Sequence, residues 1–289
     1  MKFHFKDILV LVKFRISFAS TLTAELGYIL SSNSFGIDFL FVCAGVFFLA
    51  SGSCALNQVQ EWKYDKLMQR TFQRPIPQEI ISPRQGFIIA SSLLIIGLSI
   101  LFFSSSSKIP FYLGLLATTL YNFVYTPLKR LTAFASIPGA LIGAIPPLIG
   151  WSFGGEELLQ PLSISLAVFF FVWQIPHFFL LLLVYEKDYT KAGFPVLTNL
   201  FSTLQIARIS FILISILVLL AFVIVALLKD HNYFSLLAFI LLGILLLTRT
   251  HKMVKFLQPE IFYKNAFVSL NVYVFLVTLI LFIQKFIYI

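Results

Sequence analysis

Apolar runs of about 20 residues recur from one end of this sequence to the other, each long enough for a helix to cross the hydrocarbon layer of a membrane. Inside lipid no water satisfies exposed backbone groups, so spanning segments are helices or closed barrels, and runs of this length fit helices. Composition excludes a soluble globule as well: 59% of the residues are hydrophobic and 11% charged, against about 25% charged in a typical soluble domain. Because the hydrophobicity returns along the whole chain, the first run reads as a span rather than a cleaved targeting segment. No linker or low-complexity tract divides the sequence. The expected fold class is all-α: a polytopic membrane protein, a bundle of about nine transmembrane helices around a central cavity, formed by a single domain over residues 1–289.

The spans are expected near 16–31, 38–56, 85–103, 109–125, 135–153, 162–183, 206–228, 234–247 and 266–282. With the N-terminus in the cytoplasm, 18 of the 21 Lys and Arg residues fall on the inner face. That imbalance is the positive-inside signature, and a wrong number of spans would scramble it. The C-terminus then lies outside, and a bacterial inner membrane is the expected setting. The net charge of +9 raises the question of nucleic acid. The basic residues sit in short loops at one face, where anionic lipid headgroups account for them, so no nucleic-acid partner is expected. Cys43 and Cys54 share the second span without CxxC or CxxH spacing, and read as small apolar residues rather than a disulfide or a metal pair.

Polar residues concentrate where the spans meet the inner face. The longest inner loop starts at the end of the second span and contains Asn57, Glu61, Asp65, Arg70 and Arg74. If the helix continues inward, Asn57, Glu61 and Asp65, spaced four apart, share one face. Two carboxylates and an amide oxygen on one stripe suit Mg²⁺, which is commonly held by one or two protein carboxylates while substrate phosphates and water complete the octahedron. Arg70 and Arg74, again four apart, are cations able to take phosphate oxygens in bidentate fashion. The bland reading of this pattern is a solvated interfacial helix with charges at i, i+4.

A second cluster runs Trp173-Gln-Ile-Pro-His177-Phe178 and then Tyr185-Glu-Lys-Asp188-Tyr-Thr-Lys191. Glu186 and Asp188 are two apart, so a regular helix offers only one of them to a shared site, and Asp188 is the expected ligand. His177 and Gln174 lie inside an apolar span, where polar groups usually face a bundle interior or cavity. A core histidine satisfied by a neighbouring carbonyl is the structural alternative. Lys129 and Arg130, in the inner loop between the two clusters, read either as ordinary membrane anchors or as further anion-binding charges. Gly139, Gly143, Pro146, Pro147 and Gly150 follow in the fifth span, where small and helix-breaking residues let backbones or a bulky ligand come close. Glu25, alone in the first span, is expected to line the same cavity or to be neutralised by protonation.

Three stretches together resemble the UbiA-type intramembrane prenyltransferases, and within them the branch that acts on protoheme. They are Asn57-x3-Glu61-x3-Asp65-x2-Met68-x-Arg70-Thr71-x2-Arg74-Pro75, then Tyr125-Thr-Pro-Leu-Lys-Arg-x-Thr132 with Gly143-Ala-Ile-Pro-Pro-Leu-Ile-Gly-Trp151, then Trp173-Gln-x-Pro-His-Phe178 with Asp188-Tyr-x2-Ala-Gly193. The likeness covers residues 13–197 firmly and the last three spans loosely. Glu61 stands where the family usually has Asp. Lys63 and Lys187 take places where an acid is common, Phe14 replaces a Pro, and Ala135 replaces an Asn.

The resemblance implies a Mg²⁺-dependent transfer of a farnesyl group from farnesyl diphosphate to a vinyl group of protoheme IX, giving haem O on the route to haem A. It makes Asn57, Glu61, Asp65 and Asp188 the catalytic residues and metal ligands. It makes Arg70, Arg74, Lys129, Arg130 and His177 the substrate contacts, with membrane lipid around the protein and haem A synthase or oxidase assembly proteins as associates. An aromatic acceptor such as 4-hydroxybenzoate is the alternative within the family. Outside it stand a membrane transporter, which also uses broken helices and buried acids, and a non-catalytic assembly factor. Motifs gathered at one face rather than at the midplane disfavour the transporter.

Overall fold

The structure, a computed structural model, describes residues 4–32, 35–228, 233–255 and 259–287. Among them every regular element is helical. A short helix α1 (Phe5–Leu11) turns a corner into α2 (Phe14–Ser31), followed by α3 (Ile37–Asp65), α4 (Pro83–Phe103) and α5 (Ile109–Thr118). The last continues through a π-helical stretch, Thr119–Tyr125, into one final turn, α6 (Thr126–Leu128). Then come α7 (Ser136–Phe153), α8 (Pro161–Lys191), α9 (Thr203–Leu227), α10 (Tyr233–Thr250) and α11 (Glu260–Ile287).

Among the described residues seven helices, α3, α4 and α7 to α11, are long and apolar enough to cross a membrane, which makes the chain an integral multi-pass membrane protein. The other two expected spans are helical too, but α2 carries Ser17, Ser20, Thr21, Thr23 and Glu25, and α5 is shortened by the π-helical stretch. The sequence reading missed α1, and its apolar runs for the second and sixth spans stop short of the helix ends. α3 and α8 run about two turns further inward, to Asp65 and Lys191.

α2, α7, α8 and α11 pack in a closed ring, each against the next, with α3, α4 and α5 flanking one side and α9 and α10 the other. Between helices in lipid there is little hydrophobic drive, so close packing of small residues carries association. Gly27 on α2 lies against the Pro147 carbonyl of α7, and Gly150 on α7 lies against the Ala24 carbonyl of α2, so the two backbones touch where any Cβ would overlap an oxygen. At the end of the bundle that carries the polar motifs α4 and α9 start with matching capping boxes, Ser82 with Gln85 and Ser202 with Gln205. The inner ends are thereby fixed, and the polar motifs stand on rigid supports.

Candidate active site

Because α3 stays helical past the expected end of its span, Asn57, Glu61 and Asp65 form one buried stripe, with Glu61 3% and Asp65 1% exposed. The corner between α1 and α2 closes over it. Lys13 there takes a left-handed conformation (φ 47°), a strained one for a residue with a side chain. The corner is pinned by Gln58 Nε2, which donates to the Val10 and Leu11 carbonyls at 2.7 and 2.9 Å, and by Ser17 Oγ, which donates to Val12 O. Held this way, Lys13 Nζ donates to Asn57 Oδ1 at 2.7 Å and reaches the Tyr121 hydroxyl at 3.4 Å. Burial, and then the repulsion of Arg74, pushes the Lys13 ammonium down to about 8.

Each acid of the stripe meets a cation. Lys129 Nζ pairs with Glu61 Oε2 at 2.6 Å, and Asn57 Nδ2 donates to the same oxygen at 2.9 Å and to Thr126 Oγ1 at 3.0 Å. Arg74 Nη1 donates to both oxygens of Asp65, at 2.9 and 2.7 Å. Arg130 turns away from the stripe: Nη2 donates to the Gln60 carbonyl, and the guanidinium lies over the Tyr64 ring, 4.7 Å from its centroid.

The second acidic cluster arrives because α8 kinks at Tyr185 (φ −118°, ψ 22°). Beyond the kink Asp188 Oδ2 accepts the backbone N–H of Arg70 at 3.0 Å, and the Arg70 side chain donates to the Tyr189 hydroxyl at 3.2 Å while lying over the Tyr185 ring. Glu61, Asp65, Arg74, Lys129 and Asn57 therefore share one cluster. Asp188 and Arg70 stand at its rim, and His177 lies deeper in α8.

Aromatic rings connect the two depths. Tyr121 stacks on Tyr125 at 5.9 Å and Tyr125 on Phe178 at 5.8 Å, and Phe178 meets the His177 ring edge-on at 5.8 Å. Gly139 of α7 makes room for this ladder, since a Cβ there would come within 2.8 Å of the Tyr125 ring. The glycines of the fifth span thus admit side chains as well as backbones. Glu25 does not join the cluster. Its partner is the Cys43 thiol, which sits 14 residues, about 21 Å of helix, from Asn57 along α3.

Oxygen donors of this kind suit a hard cation, and Glu61 Oε1 is, among the described residues, the buried carboxylate oxygen without a hydrogen-bond partner. Among the same residues no three His, Cys, Asp or Glu side chains lie close enough to hold a metal together. The set therefore fits an ion that takes two carboxylates from the protein and the rest of its ligands from a phosphorylated substrate. Sequence reasoning missed Lys13, although its position next to Phe14 and Arg15 opens the stretch of family resemblance. It also missed Gln58 and Tyr121, which present no motif of their own.

An all-helical membrane bundle with paired acids and cations at one end is the arrangement an intramembrane transferase of the prenyl type requires. The chain belongs to the UbiA prenyltransferase family, whose sequence profile matches residues 18–271. Among its relatives, protoheme IX farnesyltransferase of Geobacter sulfurreducens is 39% identical over 190 residues, 66% of this chain and 70% of that one. The protein of the same name from Bdellovibrio bacteriovorus is 39% identical over 195 residues, 65% of either chain. The matched stretch thus spans about two thirds of these curated relatives. Solved structures share the fold at low identity. A digeranylgeranylglyceryl phosphate synthase superposes with a TM-score of 0.78 at 16% identity, covering 97% of this chain and 98% of that one. A UbiA homologue from Archaeoglobus fulgidus bound to GPP and Mg²⁺ gives 0.65 at 14%, covering 96% and 99%.

Proposed function

We propose that this chain transfers the farnesyl group of farnesyl diphosphate to a vinyl group of protoheme IX, with water adding to the same vinyl, so that haem O, diphosphate and a proton are released. The observation that carries this reading is the α3 stripe, where Glu61 and Asp65 are matched by Lys129 and Arg74, one aromatic ladder away from His177. The names of the relatives supply the acceptor.

As the allylic C–O bond breaks, negative charge grows on diphosphate and positive charge spreads over the allyl group. Lys13, Arg74 and Lys129 stand where the diphosphate would sit, already oriented by their acidic and amide partners. Preorganised charge of this kind acts more strongly in a partly dry site than in water. Arg70 and Asp188 close the rim, Asp188 being too far from the stripe to share its ion, and Asn57, Glu61 and Asp65 would hold Mg²⁺. When bound, that ion supplies Lewis-acid stabilisation of the departing diphosphate. The faces of Tyr121, Tyr125 and Phe178 offer negative π density beside the developing allyl cation. Apolar helix faces then take the farnesyl chain, at about 0.8 kcal/mol per buried methylene. The predominance of Lys and Arg at this end supports a cytoplasmic orientation for it.

Competition tests the acceptor. With labelled farnesyl diphosphate, Mg²⁺ and equal protoheme IX and 4-hydroxybenzoate, the label should enter the haem fraction. Label in the benzoate product would move the chain to the aromatic-acceptor branch, and label crossing the membrane unchanged would make it a transporter.

A further inference from the structure

The π-helical stretch Thr119–Tyr125 carries Tyr121 and Tyr125 of the aromatic ladder, and its shape does not support itself. In a π turn each carbonyl pairs with the N–H five residues on rather than four, so the turn is wider than in an α-helix. Thr126 follows this pattern, its N–H and its hydroxyl both donating to the Tyr121 carbonyl. The next carbonyl, that of Asn122, would pair in the same way with Pro127, which has no N–H to give.

α3 fills the gap. Gln60 Nε2 donates to the Asn122 carbonyl at 2.9 Å, and Asn122 Nδ2 donates back to Gln60 Oε1 at 3.3 Å and to the Ser53 carbonyl at 3.0 Å. The backbone of Gln60 is fastened in turn, because its carbonyl accepts Arg130 Nη2 at 2.7 Å. Polar side chains between membrane helices serve as glue, but glue asks for no particular helical form. Here the bond lands on a carbonyl that Pro127 deprives of its partner in the π form. Without Gln60, the Asn122 carbonyl can be satisfied by the Thr126 N–H, four residues on, which converts the turn to the α form and rotates the Tyr121 and Tyr125 rings relative to each other.

We infer that Gln60, paired with Asn122, is a positioning residue for prenyl transfer: it holds the π form and so fixes where the Tyr121 and Tyr125 rings stand beside the α3 stripe. The rings flank the place where the allyl cation forms and occupy space that water would otherwise take, so the clamp controls the fate of that cation. With the rings in place, the farnesyl carbon bonds to the acceptor vinyl. With them displaced, the oxygen of a water molecule bonds to that carbon and a proton leaves, giving farnesol. The inference rests on the farnesyl-transfer reading, and the test keeps the two apart.

The purified full chain in detergent is given farnesyl diphosphate, Mg²⁺ and protoheme IX, and farnesylated haem and farnesol are measured in the same reaction. Their ratio does not depend on how much of a variant is folded, so a merely structural role would not move it. Gln60→Met, which keeps the length of the side chain without its amide, should lower turnover to haem product about 10- to 100-fold, leave KM for farnesyl diphosphate within about threefold, and raise the farnesol-to-haem ratio about tenfold. Asn122→Leu should move the ratio in the same direction, and the double variant should move it no further than the larger single change, because the two side chains act as one clamp. An unchanged ratio in Gln60→Met, whatever its turnover, would reduce the pair to interhelical glue and overturn the inference. Ratio changes that multiply in the double variant would overturn it as well. A wild type that makes no farnesylated haem would overturn the transfer reading instead.

Discussion

The backbone N–H of Arg70 donates to Asp188 Oδ2 at 3.0 Å, joining two residues 118 positions apart in the chain, one from each polar motif. The bond latches the loop after α3 onto the kinked end of α8, so the two sequence motifs form one rim. Asp188→Asn keeps an acceptor for that N–H but removes the charge, and Asp188→Ala removes both. If the carboxylate charge serves the diphosphate site, both variants should lose about 10²- to 10³-fold in turnover. A steady-state assay decides, because near-normal turnover in Asp188→Asn would reduce Asp188 to a latch.

Asp65 has two tasks to separate, anchoring Arg74 and facing the metal. Asp65→Asn should cost about 10²- to 10³-fold in activity while the protein still inserts and accumulates. Raising Mg²⁺ should restore part of that loss but none of the loss in Arg74→Met. Identical Mg²⁺ dependence in both variants would mean that Asp65 acts only through the arginine.

Removing Lys129 leaves the Glu61 carboxylate buried with Asn57 as its remaining donor. Lys129→Met should therefore destabilise the protein by about 3 kcal/mol, because an unpaired buried charge costs more than the ion pair contributes. Adding Glu61→Gln should recover much of the thermal stability and none of the activity. A double variant that melts as early as the single one would show that the loss lies in packing.

The contact of α2 with α7 gives a prediction about the fold. Gly150→Ala forces the Ala24 carbonyl away and should cost about 1–3 kcal/mol or more in thermal unfolding in detergent, as overpacking does. Gly36→Ala, whose added Cβ would meet nothing nearer than 4.0 Å, should change little. Equal melting of the two would mean that the helices part without cost.

What the sequence made legible divides along the range of the interactions. The helices could be read because each apolar run is a local pattern, and the α3 stripe because four-residue spacing puts Asn57, Glu61 and Asp65 on one face. The apolar runs left open how far α3 and α8 continue, because polar residues end such a run without ending a helix, although the spacing of Asn57, Glu61 and Asp65 anticipated the α3 extension. Lys13 escaped because its contact with Asn57 depends on a left-handed corner pinned by Gln58. Asn271 carries no motif, and its hydrogen-bond partner His177 is 94 positions away on another helix. Glu25 was legible as a costly acid within an apolar span, but its depth relative to Asn57 was not, since only the packing of α2 on α3 sets it against Cys43.

The most direct measurement is the mass of the product. Purified protein with farnesyl diphosphate, Mg²⁺ and protoheme IX should yield a haem heavier by one farnesyl group and one water, with one diphosphate released per product. The doubly substituted Glu61→Gln/Asp65→Asn protein should yield neither. Recovery of protoheme at its original mass from the active wild type, with the farnesyl group on another acceptor or on water alone, would contradict the account.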